Sequence, residues 1–202
     1  MLTLQGFRTL GGLKPKEQMG ITLTAITNVS LPPNHGKTYY DAVLEKLKAL
    51  NLSTTYIDHN GKECIDDTPW HYYKELVWLE SKNREEEVGI VFENPTWYEP
   101  IVYPEVGYIS SPDRYNFLFD AAFYQRTRSN IEKIVKALGG TEVIWLSDAE
   151  PLWKYEELAY CAETSYEQIK ALMLKELGPP ITQHSALDPN NDNHYFLDKF
   201  EV

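Results

Sequence analysis

The sequence predicts an α+β (or α/β) fold, with a central mixed sheet of about four to six strands covered by three to five helices. Three features predict it: short β-branched runs bounded by turn residues, longer segments with apolar residues at helical spacing, and cap or stop signals between them. The chain has 202 residues, of which 43% are hydrophobic. That is enough to build one core without disulfides or metals, so we expect residues 1–202 to form a single domain.

Four segments have the composition of strands. Residues 20–31 alternate apolar and Thr side chains and stop at a Pro-Pro pair. Residues 141–146 are rich in β-branched and aromatic side chains, which favours a place inside the sheet. An Asn-Gly pair within 52–66 separates two β-prone runs and predicts a hairpin. Residues 88–93 predict a short buried strand.

The first two predicted helices begin with threonine caps. Thr38 precedes apolar residues at the 3.6-residue period, which predicts a helix over 38–50. Thr68 is followed by Pro69 at the first helical position, and the pattern continues to residue 82 before a charge-rich break. We therefore expect a helix over 69–82.

The other two predicted helices are longer or more clearly capped. Ser111 opens a Ser-Pro-Asp cap, and the helix over 111–138 ends at Gly139, with a break allowed near 127–130. A Thr-Ser-Tyr-Glu capping box opens the last helix, over 164–177, which a Gly-Pro-Pro sequence ends.

Two segments have no clear period. Residues 94–112 contain four prolines and four large aromatics, which predicts an ordered loop that covers the core or presents a contact surface. The tail, 181–202, contains a turn cluster and then an apolar-aromatic run. It either docks as an edge strand or stays mobile.

The negative charge is concentrated in two stretches. The net charge is −11, and residues 58–105 hold twelve acids against four bases, while 141–167 hold seven acids against one base. Such a surface repels nucleic acid and anionic membranes and attracts a basic partner or a cation. The alternative is an acidic face that serves only solubility.

The familiar signatures of cofactor and catalytic sites are missing from the sequence. It has no G-x-G-x-x-G, P-loop, G-x-S-x-G, H-E-x-x-H or C-x-x-C pattern, and its two cysteines suggest neither a zinc site nor a disulfide framework. We therefore predict no cofactor and favour a protein that is not an enzyme. No secretory leader or long apolar stretch is visible, which predicts a cytoplasmic protein that does not enter membranes.

Acidic side chains alternate with large aromatics in two segments that we expect to be loops. Aromatics anchor protein interfaces, and surrounding carboxylates complement a basic surface. The alternative is that these rings belong to the core. The predicted partner-binding residues are Trp97, Tyr98, Glu99, Tyr103, Glu105, Glu150, Trp153, Tyr155, Glu156 and Glu157.

The favoured function is an acidic protein-binding module that neutralises a basic partner, such as a toxin or a nucleic-acid enzyme. The composition is similar to that of cytosolic immunity proteins, which act against bacterial toxins. One alternative is a carboxylate-based, metal-dependent hydrolase that uses Asp66, Asp67, Asp148 and Glu150. Another is a structural or regulatory subunit of a complex. The oligomeric state stays open.

Overall fold

The chain folds as an α+β protein, as the sequence predicts. The computed structural model describes residues 23–29, 36–50, 52, 54–57, 63–66, 69–79, 83–93, 99–111, 120–147, 152–160, 164–184 and 194–201. The strands are β1 Leu23–Thr27, β2 Thr54–Ile57, β3 Glu63–Asp66, β4 His71–Leu79, β5 Arg84–Glu93, β6 Glu99–Val102, β7 Gly107–Ser111, β8 Glu142–Ser147 and β9 Phe196–Lys199. The helices are α1 Lys37–Ala49, α2 Ala121–Ala137, α3 Trp153–Tyr160 and α4 Tyr166–Leu177.

Seven strands form one sheet in the order β4-β5-β6-β7-β1-β8-β9, and β2 and β3 form a separate pair. The paired strands are antiparallel, and the one parallel contact in the described chain is an isolated bridge between Ile181 and Phe196. The sheet is therefore larger than the four to six strands expected, and antiparallel rather than mixed. Short connections such as β4–β5 and β6–β7 explain the direction, since parallel neighbours need long crossovers.

Helices pack on both faces of the large sheet. On one face, α1 and α2 contribute Val43, Leu47, Ile131 and Ile134 to a core cluster. The sheet side chains in this cluster include Ala25, Ile109, Trp145 and Phe196, which lie opposite one another across β7, β1, β8 and β9.

On the other face, α3 and α4 contribute Tyr155, Ala159, Ile169 and Met173 to a second core cluster. The matching row of strand partners runs across the whole sheet. In order it is Tyr73, Val91, Ile101, Tyr108, Ile26, Ile144 and Leu197. Because strand side chains alternate between faces, both clusters take side chains from β1 and from β5 to β9.

Two helix starts differ from the predicted caps, whereas one helix end is as predicted. Gly36 precedes α1 and makes no side-chain cap, so Thr38 lies inside the helix rather than before it. In α4 the capping box joins Ser165 to Gln168, one residue later than the Thr-Ser-Tyr-Glu pattern indicates. Gly139 has the predicted left-handed conformation, with φ of 89°.

The start of α2 also differs from the prediction. The Asp120 side chain accepts hydrogen bonds from the backbone N–H groups of Ala122 and Phe123, at 2.8 and 3.0 Å. The helix is then continuous through Ala137, without a break at 127–130. Ser111, the predicted cap, is instead the last residue of β7.

The predicted helix over 69–82 is wrong, because residues 71–79 form β4. Its register with β5 runs from His71 opposite Glu93 to Leu79 opposite Arg84. Tyr72 packs against Phe92, with ring centroids 5.8 Å apart, and its hydroxyl donates to Asp41 of α1 at 2.9 Å. These distant contacts outweigh a helical preference worth tenths of a kilocalorie per residue.

The predicted loop over 94–112 is also wrong where the structure describes it. Residues 99–111 form β6, a tight turn and β7, which pair in the middle of the sheet. Residues 94–98 lie outside the described part. In the tail, β9 pairs with β8 as an edge strand, the first of the two outcomes anticipated for this segment.

Candidate functional site

The predicted partner-binding residues fall into three groups. Trp97, Tyr98 and Glu150 lie outside the described residues. Glu99 is the first residue of β6 and is paired with Ser110. The remaining six lie in the β6–β7 turn and in α3, which packs near β7.

Tyr103 lies in the core rather than on the surface. Its side chain is 1% exposed and belongs to the cluster under α3 and α4. The ring covers Gly89 of β5 so closely that a Cβ atom there would lie 2.6 Å from Tyr103 Cδ1. The Tyr103 N–H also donates to the Val106 carbonyl at 2.9 Å, which closes the turn. This ring therefore holds the hairpin to the sheet.

Tyr155 is fully buried, and its hydroxyl donates to Glu176 Oε2 at 2.8 Å. Lys154 pairs with the same carboxylate and lies 4.8 Å from the centre of the Tyr155 ring. Lys154 and the Tyr155 hydroxyl hold the pKa of Glu176 below its usual value, while burial raises the pKa of Tyr155. These contacts join α3 to the C-terminal turn of α4.

The surface of α3 carries the exposed part of the predicted set. Trp153 is 55% exposed, Tyr160 is 47% exposed, and Glu157 between them is exposed. Their i, i+4, i+7 spacing places all three on one side of the helix. We call these residues the outer face of α3.

Glu156 does not belong to this face. It is only half-buried as a residue, but one of its carboxylate oxygens is inaccessible to solvent. Tyr160 belongs to the face but is missing from the predicted set. Its position seven residues after Trp153 indicates that the two share a helix face, but only once residues 153–160 are known to be a helix.

Packing holds Tyr160 in place. Its ring meets Tyr108 of β7 edge-on, with centroids 5.6 Å apart and planes at 77°. The Tyr108 hydroxyl in turn lies 3.5 Å from the Thr24 hydroxyl of β1. Tyr160, at one end of the outer face of α3, therefore contacts the middle strands of the sheet through Tyr108.

Glu105 lies on the same side of the molecule. Its side chain is exposed in the β6–β7 turn, and its backbone carbonyl accepts a hydrogen bond from the Tyr166 N–H at 3.1 Å. That bond joins the turn to the first residue of α4, which packs beside α3. The fold therefore places Glu105 and Glu157, which come from the two negative stretches, on the side of the sheet that α3 and α4 cover.

Two further polar clusters have structural roles. Arg128 of α2 holds Asp198 of β9 through two contacts, Nε to Oδ2 at 2.6 Å and Nη2 to Oδ1 at 2.9 Å. Glu142 of β8 accepts from Lys170 of α4, and the nearby Tyr166 is 2% exposed. Burial, with the charge of Glu142, raises the pKa of the Tyr166 hydroxyl. These clusters fix the edge strand and α4 to the sheet.

Of the four carboxylates considered for a hydrolase, the structure describes only Asp66. Asp66 ends β3 of the small sheet, while Asp67, Asp148 and Glu150 lie outside the described residues. Among the residues that are described, no three His, Cys, Asp or Glu side chains are grouped to hold a metal ion. None of the helices in this part of the chain has the length and apolar content needed to span a membrane.

Comparison of the chain with protein-family models, with curated proteins and with solved structures yields no match.

Proposed function

We propose that this chain is an acidic protein-binding module that acts in the cytoplasm and neutralises a basic partner protein, in the manner of an immunity protein against a bacterial toxin. The observation that carries the proposal is the outer face of α3, where a carboxylate lies between two large exposed rings. Glu105 adds a second exposed carboxylate on the same side.

Each part of this surface has a physical role in binding. Trp and Tyr are the side chains that most often dominate interface energy, because they bury a large area at a low entropic cost. Exposed carboxylates steer a positively charged partner toward the surface and raise the rate of association. The net charge of −11 extends this attraction beyond the contact itself.

Charge reversal tests the role of the two carboxylates. The partner is first isolated on the immobilised chain at low salt and then purified, and its association is followed by surface plasmon resonance. Glu105→Lys/Glu157→Lys should slow association about tenfold at low salt and much less at high salt. The matched control is Glu45→Lys/Glu201→Lys, because both residues are exposed and Glu45 lies on α1, across the sheet.

Neutralisation is measured on the same purified partner. Its own activity should fall when the wild-type chain is added in equal amount, and the Glu105→Lys/Glu157→Lys variant should require a higher concentration for the same effect. Equal association rates for the two double variants at low salt would overturn the assignment of this surface. A bound partner whose activity is unchanged would overturn the neutralising role.

A further inference from the structure

The connection from α4 to β9 crosses the edge of the large sheet. Leu177, the last residue of α4, packs on the cluster under α3 and α4, whereas Ile181 packs on the cluster under α1 and α2. β9 is the outermost strand at this end of the sheet. The chain therefore passes around β9 from one helical layer to the other. We call residues 178–184 the edge strap.

Ile181 pairs with the outer edge of β9 through its backbone. Its N–H donates to the Tyr195 carbonyl at 3.0 Å, and its carbonyl accepts from the Leu197 N–H at 2.9 Å. Because alternate residues of a strand direct their N–H and C=O groups to the same side, Lys199 also directs its backbone groups to this outer edge. The strap thus occupies part of the edge at which a further strand would pair.

Both ends of the edge strap are held by contacts. The Tyr195 hydroxyl donates to the Gly178 carbonyl at 2.9 Å, and the Gly178 N–H donates to the Leu174 carbonyl of α4 at 3.2 Å. At the other end the His184 ring stacks on Tyr124 of α2, with centroids 3.6 Å apart and planes at 21°. The strap is therefore anchored in both helical layers.

The composition of the strap prevents it from acting as a new edge strand. Pro179 and Pro180 directly precede Ile181 and have no N–H to donate. Proline and lysine are residues that natural sheets place at their edges to prevent pairing with another chain. The Lys199 side chain, 71% exposed on β9, fits the same role.

We propose that the edge strap is a guard that keeps β9 from pairing with β9 of a second copy of this chain. Without the strap, β9 would present the outward backbone groups of Tyr195, Leu197 and Lys199. Two such edges are complementary when antiparallel, because a two-fold axis brings the donors of each strand to the acceptors of the other. The inference concerns self-association and does not depend on the proposed function.

Hydrogen exchange in the wild-type chain tests whether the strap is closed. The amides of Ile181 and Leu197, which donate the two bonds between strap and strand, should be protected. Those of the exposed neighbours Thr182 and Gln183 should exchange at least about tenfold faster. Equal exchange at these positions would overturn the inference.

A strap-released variant tests the consequence for self-association. Ile181→Pro removes the N–H that donates to β9, and His184→Ala removes the stack on α2. The double variant should self-associate with a Kd of about 1 mM, the affinity that about four backbone hydrogen bonds give. Between about 0.05 and 1 mM its average mass in sedimentation velocity should rise more than that of the wild-type chain. The amide NMR shifts of Leu197 and Lys199 should move over the same range.

Lys199→Pro, added to the double variant, tests whether β9 is the surface that associates. It removes an N–H that points away from β8 and that a second copy would need, so the bonds to β8 remain. The triple variant should therefore return to the mass of the wild-type chain at about 1 mM. Thr182→Ala/Gln183→Ala is the matched control, because it keeps both backbone bonds of Ile181 and should sediment as the wild-type chain does.

No added association of the double variant up to about 1 mM would overturn the inference. So would association that Lys199→Pro leaves unchanged, because it would come from another surface or from loss of the fold. Association that appears in the double variant and disappears in the triple variant is the result expected of a guarded edge.

Discussion

Replacing Tyr103 by alanine should destabilise the fold and leave partner binding unchanged, although the sequence marks this residue as a binding anchor. The ring is 1% exposed and packs on Gly89 within the cluster under α3 and α4. Truncation of a buried aromatic leaves a cavity and costs about 3–5 kcal/mol. Total stability is about 5–15 kcal/mol for most domains, so the variant should still fold.

Urea denaturation measures this cost. With a slope of about 3 kcal/mol per molar urea for a chain of this size, the Tyr103→Ala midpoint should fall by about 1–1.7 M. Trp153→Ala is the comparison, because its ring is 55% exposed. Its midpoint should change by less than about 0.2 M, the shift that about 0.5 kcal/mol produces.

Partner affinity should depend more on Trp153 than on Tyr103, the reverse of their effects on stability. Trp153→Ala should weaken binding about 30-fold, the change that corresponds to a hot-spot residue. Tyr103→Ala should alter Kd by less than about twofold when measured well below its unfolding midpoint. An unchanged urea midpoint together with weaker binding for Tyr103→Ala would refute this reasoning, because it would place the ring on the surface in solution.

Three other changes test how the fold is held together. Gly89→Ala should lower the free energy of unfolding, measured by urea denaturation, by about 1–3 kcal/mol, because its Cβ would collide with the Tyr103 ring. The same substitution should cost less in a Tyr103→Ala background. If the two costs were fully additive, the contact between Gly89 and Tyr103 would be contradicted. Arg128→Ala should cost about 3 kcal/mol because it leaves Asp198, whose side chain is 9% exposed, without its cation. Hydrogen exchange of the β9 amides should then accelerate, and unchanged exchange would argue that the Arg128–Asp198 ion pair does not hold β9 to α2. The pKa of Tyr166 is raised, so the folded state favours its neutral hydroxyl. The stability that this preference contributes should be complete below about pH 10 and should be lost as the pH rises above that value. Tyr166→Phe should reduce that loss by up to about 1.4 kcal/mol per pH unit, measured by urea midpoints from about pH 9 to 11, and an identical slope would show that Tyr166 does not contribute.

The candidate site was only partly predictable from sequence. The alternation of aromatics with carboxylates indicated Trp153 and Glu157, and the structure shows that both are exposed. It could not separate them from Tyr155, two residues after Trp153, because a local pattern does not reveal which side of α3 meets the sheet. Tyr160 was missed for the same reason.

Elements whose signals are local can be recognised from the sequence alone. The strand around Leu23–Thr27, the strand Glu142–Ser147 and the helix Tyr166–Leu177 follow from β-branched content, helical period, caps and glycine stops. In these segments the backbone preference and the final packing agree, so a short window of residues is enough to recognise them.

Where local preference and packing disagree, long-range contacts determine which element forms. A threonine-proline start and a helical apolar stripe favour a helix at 69–82, yet pairing with β5 and the contacts of Tyr72 make residues 71–79 a strand. Pairing with β5 and β7 likewise makes a strand of residues 99–102, where prolines and aromatics suggested a loop. Helix and strand preferences differ by tenths of a kilocalorie per residue, whereas burial of one aromatic side chain contributes about 1.5–3 kcal/mol. Contacts between residues far apart in the sequence therefore determine the edge of the sheet, the buried position of Tyr103 and the exposed face of α3.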